Sequence, residues 1–268
     1  MRSVRTGVKR IVAASLVAAG CWSLGAAAQV APAGQPPTAE GGQGGVIDPA
    51  ATALLKRMSD YMGKLKAYSV HARNTNEVLL TNGQKLEFEA TSDVIVERPN
   101  HLRSNRVGDV TEVEFYYDGS TVTLYGRKHQ YYATAPAPAS MDQMLDHIRQ
   151  RLSMEPPGAD LLYSNIYDGL IDGVSEARVI GPAVIGGAKT THLAFRASDV
   201  DWQIWIEDGD RPLPRKYVIT TKWTTGSPDF GVEFSDWNLS PKIDKSTFVF
   251  TPPKGAQKID FLPAPAAQ

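Results

Sequence analysis

The 268-residue chain contains a single cysteine, Cys21, and no excess of positive charge. One cysteine cannot form an intrachain disulfide, and we expect Cys21 to be removed with an export segment, so no thiol nucleophile or thiolate metal site is predicted. Lys and Arg number 28 against 29 Asp and Glu, and loss of Arg2, Arg5, Lys9 and Arg10 with that segment leaves 24 against 29. Because phosphate binding requires a basic face, this balance disfavours nucleic acid as the main partner.

Patterns typical of catalytic and metal sites are also scarce. Ser227 precedes a proline in a turn rather than forming a nucleophile elbow. The glycines of residues 41–45 lack the lysine of a phosphate loop, and Asp208-Gly209-Asp210 is too short for a calcium loop. The histidines are spread singly, without metal-ligand spacing, at His71, His101, His129, His147 and His192. The sequence therefore predicts no enzyme, no metal site and no cofactor, and a hydrolase would need a triad that the linear order hides.

The N-terminus has the pattern of an export signal. Four basic residues precede an uncharged apolar run from Ile11 to Ala28, which ends in small alanines suited to a signal peptidase. We predict a cleaved signal peptide over residues 1–28 and a periplasmic location. Two alternatives stay open: the run is at the short limit for a membrane anchor, and Ala18-Ala19-Gly20-Cys21 resembles a lipoprotein box in which Cys21 is lipidated.

Composition divides the rest of the chain into three parts. Residues 29–46 are mostly Pro, Gly, Ala and Gln, so they cannot recover the entropy cost of ordering by burial, and we expect a flexible linker. Residues 47–262 have a globular composition without an internal linker and predict one domain. Residues 263–268 are expected to form a disordered tail.

Helices are predicted in two regions of the domain. Asp48 is a typical N-cap before Pro49, and five apolar residues then recur at helical spacing: Leu54, Leu55, Met58, Met62 and Leu65. Ser140, with Gln143 three positions later, opens a second amphipathic helix. A shorter helical stretch is expected over residues 159–170.

About ten to twelve short alternating segments occupy the remaining sequence, the last of them predicted over Phe248–Phe250. Turn dipeptides such as Asn82-Gly83, Asp118-Gly119 and Gly186-Gly187 separate them and are typical of hairpins. Because a sheet of that size must curl or split, we expect an α+β fold: a curved antiparallel sheet, an unclosed β-barrel, whose concave face is covered by helices. A cavity between the two layers would suit a ligand.

The alternation of strand residues gives candidate ligand-binding positions. In Trp202–Ile206 the odd and even positions point to opposite faces, which groups Trp202 with Ile204 and Ile206. The full predicted cavity wall is Leu86, Phe88, Phe115, Tyr117, Trp202, Ile204, Ile206, Phe230, Val232 and Phe234. Such a wall could take an acyl chain, each buried methylene contributing about 0.8 kcal/mol.

A helical lid is predicted opposite this wall. Its candidate residues are Leu55, Met58, Met62, Met144 and Ile148, and flexible thioether side chains adapt to differently shaped guests. Ordinary core packing explains both the wall and the lid equally well. A patch of tyrosines in the middle hairpins admits two interpretations, a cavity rim that hydrogen-bonds a head group or common strand residues: Tyr116, Tyr117, Tyr125, Tyr131 and Tyr132.

The last third of the chain carries a recognisable pattern. It comprises DWQIWIE at 201–207, LPRK at 213–216, FSDWN at 234–238 and DKSTFVFTPPKGA at 244–256. This pattern resembles a family of predicted bacterial periplasmic proteins of unknown function, which looks like a branch of the superfamily of LolA, LolB, LppX and RseB. The resemblance spans about residues 47–262 and is most specific after Asp201. It implies a LolA-like unclosed barrel with helices in its mouth.

The same resemblance implies a function. Relatives use the interior of the fold to carry lipid or the acyl chains of lipoproteins, and characterised members are carriers or sensors rather than catalysts. We therefore expect a periplasmic carrier or binding protein for a lipid, an acyl chain or another amphipathic ligand, held between the sheet and the helical lid. The alternative is an envelope sensor that docks a partner polypeptide without carrying lipid.

Overall fold

A computed structural model describes residues 45–152, 154, 156 and 158–261. The expected signal peptide with Cys21, nearly all of the expected linker and the expected tail at 263–268 lie outside these residues, so their boundaries stay predictions. Within the described part of the chain, no helix combines the length and the apolar character needed to span a bilayer.

The described residues form three α-helices, and two of them start at the capping signals found in the sequence. They are α1 (Pro49–Lys64), α2 (Met141–Arg151) and α3 (Ile166–Ile171), with 3₁₀ turns at Ala159–Leu162 and Lys245–Phe248. The Asp48 carboxylate accepts a hydrogen bond from the Ala50 amide at 2.8 Å, and the Ser140 hydroxyl accepts one from the Gln143 amide at 3.4 Å. Each side chain satisfies an amide that the first helical turn leaves unpaired.

The part of the chain that the structure describes forms twelve strands in one sheet. In chain order they are β1 (Ala67–Leu79), β2 (Lys85–Glu97), β3 (His101–Gly108), β4 (Glu112–Tyr117), β5 (Thr121–Gly126), β6 (Tyr131–Pro136), β7 (Val174–Ile185), β8 (Ala188–Ala197), β9 (Val200–Glu207), β10 (Pro214–Thr221), β11 (Asp229–Asn238) and β12 (Gln257–Lys258). Their spatial order is β12-β6-β5-β4-β3-β2-β1-β11-β10-β9-β8-β7.

The sheet is antiparallel except where β12 runs parallel to β6. Pairing of β1 with β11 joins its N-terminal and C-terminal halves. Since β7 and β12 end the strand order without pairing to each other, the barrel is unclosed.

The helices pack on one face of the sheet, which we call the concave face. Cross-strand register shows why its side chains meet: Leu193, Ile204, Tyr217 and Val232 lie opposite one another in a row across four strands. Residues directly opposite on neighbouring strands share a face. This row and the inward sides of α1 and α2 belong to a single hydrophobic core.

The C-terminal segment crosses the outer face, opposite the helices. The predicted strand at Phe248–Phe250 is wrong, because Phe248 ends a 3₁₀ turn with its ring stacked on His101 at 4.9 Å between centroids. The next aromatic residue, Phe250, lies 5.1–5.4 Å from three tyrosine rings on the outer face, those of Tyr116, Tyr125 and Tyr132. These tyrosines therefore hold the end of the chain against the sheet and do not line the concave face.

A buried carboxylate lies beside these tyrosines. The hydroxyl of Tyr116 and the guanidinium of Arg127 donate hydrogen bonds to Glu114, and Arg103 lies 3.7 Å from it. Burial alone would raise the pKa of Glu114, but the hydrogen bonds from Tyr116 and Arg127 and the two positive charges outweigh it, so the pKa lies below its ordinary value of 4.5.

The first prediction concerns the core. Ile204 is fully buried, whereas Val184 on the edge strand β7 is 66% exposed. Ile204→Ala should lower the free energy of unfolding by about 2–5 kcal/mol, since it leaves a cavity, while Val184→Ala should change it by less than about 0.5 kcal/mol. Urea unfolding measures both, and equal losses would contradict the assignment of Ile204 to the core.

The second prediction concerns pH. Because the pKa of Glu114 is lowered by folding, its charge stabilises the protein above pH 4.5, and this contribution is lost as the pH falls from 4.5 through the lower native value. Wild type should exceed Glu114→Gln in unfolding free energy by about 1–3 kcal/mol at neutral pH. Urea unfolding at a series of pH values should show the difference shrink on acidification, and a constant difference would contradict it.

Candidate functional site

Most of the predicted wall lies in direct contact with the helical layer. Six wall residues are at most 8% exposed: Tyr117, Trp202, Ile204, Ile206, Phe230 and Val232. The five predicted lid residues are at most 1% exposed: Leu55, Met58, Met62, Met144 and Ile148. Both sets belong to the same core, so in this structure their side chains fill the space between helices and sheet. Whether they also bind a ligand stays a prediction.

Two clefts in the described residues are lined by none of the predicted wall or lid residues. One, of about 170 Å³, lies on the outer face between the Phe250 segment and the sheet. The other, of about 490 Å³, lies at the β7 edge beside Val46 and Ala177. A ligand on the concave face would therefore use surface that the helices leave open, or would displace part of the helical layer.

The other four predicted wall residues are half-buried. Phe115 and Phe234 pack against the margin of the core. Leu86 and Phe88 lie farther along β2, towards the β1–β2 hairpin, and are outside the core. The structure thus places all ten wall residues on one face but divides them between a covered part and an open part.

Strand register defines the open part more fully. Phe88 lies opposite Asn76 on β1, and Arg106 on β3 lies between Ser92 of β2 and Val113 of β4. All but Ser92 are half-buried. We call the following half-buried residues the open concave surface: Asn76, Leu86, Phe88, Arg106, Val113 and Phe115.

Polar side chains border this surface on the side of the core. Asn74 and Ser92 are each 7% exposed, and the Asn74 amide donates to the Ser92 hydroxyl at 3.2 Å and to the Ala90 carbonyl at 3.4 Å. Each thereby has a partner within the sheet. Three residues of this surface were not among the predicted wall residues: Asn76, Arg106 and Val113. The alternation Leu102, Ser104, Arg106 along β3 carries the signal, although only the register shows which face is concave.

Polar contacts fasten the helical layer to the sheet. Arg98, after β2, donates from Nη2 to the carbonyl oxygens of Leu162 and Tyr163 at 2.9 and 3.2 Å, which ties the sheet to the end of the first 3₁₀ turn. The Ser59 hydroxyl of α1 accepts a hydrogen bond from the Tyr167 amide of α3 at 2.9 Å. Movement of the layer away from the sheet would require the Arg98 bonds to break, whereas the Ser59 bond joins two helices within the layer.

Metal-binding groups do not cluster in the described residues. No group of three or more His, Cys, Asp or Glu side chains there is placed to hold an ion. The open concave surface offers burial of apolar area together with the polar side chains of Asn76 and Arg106.

Solved structures with similar folds come from several bacteria. An uncharacterised conserved protein from Thermus thermophilus has a TM-score of 0.47 at 11% identity, with 79% of this chain and 99% of that chain covered. Lipoprotein LppX from Mycobacterium tuberculosis has a TM-score of 0.38 at 18% identity, covering 74% and 100%. A LolA superfamily protein from Nitrosomonas europaea has a TM-score of 0.35 at 9% identity, covering 74% and 96%. These similarities concern the fold alone.

The comparison of sequences gives the family. No curated protein matches the chain. Residues 51–262 match the family described as predicted periplasmic protein (DUF2092). This confirms the resemblance found in the sequence and the expected periplasmic location, while cleavage of a signal peptide stays a prediction. The expected α+β fold with a mostly antiparallel, unclosed sheet is also confirmed. The chain belongs to this family of predicted periplasmic proteins.

Proposed function

We propose that the protein is a periplasmic binding protein or carrier that holds a lipid, an acyl chain or another amphipathic ligand against the concave face of its sheet. The observation that carries the proposal is the open concave surface. Leu86, Phe88 and Phe115 point to the same side of the sheet as the core, yet each is only half-buried. Apolar area that the protein does not cover itself is available to a ligand.

Burial of a hydrocarbon chain on this surface supplies the binding energy. Each methylene removed from water contributes about 0.8 kcal/mol, so ten methylenes contribute about 8 kcal/mol when fully buried. A surface that covers the hydrocarbon chain on one side gives only part of this free energy, and association also costs translational and rotational entropy. Deeper burial would need the helical layer to repack.

The methionines of the layer support such repacking. Met58, Met62 and Met144 are fully buried where α1 and α2 belong to the core. Their unbranched side chains adapt to irregular shapes more readily than β-branched ones. In this proposal the ligand first binds at the open concave surface. Its hydrocarbon chain then extends between the covered wall residues and the lid residues.

The binding proposal predicts a specific effect at Phe88. Phe88→Ser should weaken binding of a fluorescent fatty acid by about tenfold, because the variant loses the aromatic ring that contacts the hydrocarbon chain of the ligand. Glu87→Ser, an exposed neighbour on the opposite face of β2, serves as the matched control and should bind as wild type does. Fluorescence titration measures both, and circular dichroism checks that the variants fold. Equal affinities for Phe88→Ser and wild type would contradict the proposal.

The edge strand β7 favours a second candidate, docking of a partner polypeptide. Its Ala177 amide donates to the Val46 carbonyl at 3.0 Å, and its Ala177 carbonyl accepts from the Asp48 amide at 2.9 Å. This edge therefore already pairs with an extended segment. Farther along, Ile180 and Val184 are 55% and 66% exposed, and an extended peptide added there would bury them.

This candidate has its own test. If β7 docks a polypeptide, wild type isolated from envelope extract should retain one in stoichiometric amount, and the double variant Ile180→Lys with Val184→Lys should lose it, since charges on an exposed edge oppose strand addition. Native mass spectrometry measures the complex. Equal retention by wild type and variant would exclude the β7 edge as the docking site.

A further inference from the structure

Arg106 faces the open concave surface rather than the outer face of the sheet. It lies opposite Ser92, which is buried, and opposite Val113, while the residue after it, Val107, points outward and is 44% exposed. Because successive strand residues point to opposite faces, this register fixes the direction of the arginine. The cation therefore lies on the apolar side of the sheet.

Arg106 has no partner among the described residues. It makes no hydrogen bond or ion pair with them. Burial lowers the pKa of its guanidinium, and no carboxylate acts against that effect. Arg103 on the same strand points to the other face, where it lies 3.7 Å from Glu114. Arg106 is thus a cation on the apolar side of the sheet without a counter-charge from the described residues.

The guanidinium is open to an incoming group. None of its nitrogens is both fully buried and unpaired, whereas the Nε of Arg98 is. Ser92 is the cross-strand neighbour of Arg106 on β2, and Val113 and Phe115 lie on the same face of the neighbouring strand β4. A positive charge on a half-buried apolar surface matches the two parts of an anionic amphiphile.

We propose that Arg106 binds the anionic head group of the ligand, a carboxylate or a phosphate, while the hydrocarbon chain lies on the apolar residues of the open concave surface. The planar guanidinium can donate two parallel hydrogen bonds to such a group. The inference rests on the proposed binding function and narrows its ligand from amphiphiles in general to anionic ones.

The test compares two probes with the same hydrocarbon chain: palmitate, whose head group is an anionic carboxylate, and methyl palmitate, whose head group is a neutral ester. Wild type should bind palmitate about tenfold more tightly, since a hydrogen-bonded pair with a charged group contributes enough for such a ratio. Arg106→Gln should bind both probes with the affinity that wild type has for the ester. Isothermal titration calorimetry measures the four affinities.

Two further variants control the comparison. Arg73→Gln removes the same charge from the outer face of β1, where Arg73 is 61% exposed and pairs with Glu89 at 2.6 Å, and it should keep the preference for palmitate. Arg106→Lys keeps the charge without the planar fork and should keep a reduced preference. Since Arg106 contacts no described partner, Arg106→Gln should retain the wild-type melting temperature, which circular dichroism checks.

Each contrary result has a distinct meaning. Equal binding of palmitate and methyl palmitate by wild type, or a preference that survives in Arg106→Gln, would overturn the role of Arg106 and leave the binding proposal intact. Failure of wild type to bind either probe would overturn the proposed function and this inference with it. If inorganic phosphate displaces palmitate at equal concentration, Arg106 binds a free anion. That result would overturn the proposal that its ligand is an anionic amphiphile.

Discussion

The apolar concave face of the open sheet is the constraint on which the rest of the structure depends. A sheet of twelve strands that does not close has a large hydrophobic side, and that side must be kept from water. The helices α1, α2 and α3 and the 3₁₀ turn at Ala159–Leu162 pack on it, and Trp202, Ile204 and Met58 are buried as a result. The sheet is larger than its helical cover, so the end of the β1–β2 hairpin keeps partly exposed apolar residues.

The two faces of the sheet differ in how their charged side chains are paired. On the outer face, the C-terminal segment places Phe248 and Phe250 on aromatic and histidine rings, and the charge of Glu114 is matched by Arg127 and Arg103. Every charged group of that cluster has a partner. On the concave face the opposite holds for Arg106, whose charge is unmatched beside apolar residues that are incompletely covered. The unpaired charge of Arg106 and the partly exposed apolar residues beside it match the head group and the hydrocarbon chain of an anionic amphiphile.

Local signals in the sequence predicted much of this fold. Asp48 and Ser140 mark the starts of α1 and α2, glycine dipeptides mark the hairpins, and alternation places Trp202, Ile204 and Ile206 on one face, because each signal depends on near neighbours in the chain. The Phe248–Phe250 segment shows the limit. Alternating aromatic residues are typical of a strand, but the partners of these two rings lie on β3–β6, distant in sequence.

The division of the concave face could not be predicted for the same reason. Phe88 and Ile204 look alike as apolar strand residues, and only tertiary packing decides that helices cover one and not the other.

A crystal structure with palmitate that carries a terminal bromine tests the account most directly. We predict the carboxylate within hydrogen-bonding distance of the Arg106 guanidinium and the bromine signal on the concave face of the sheet. A carboxylate paired elsewhere, or a bromine signal on the outer face or at the β7 edge, would contradict it.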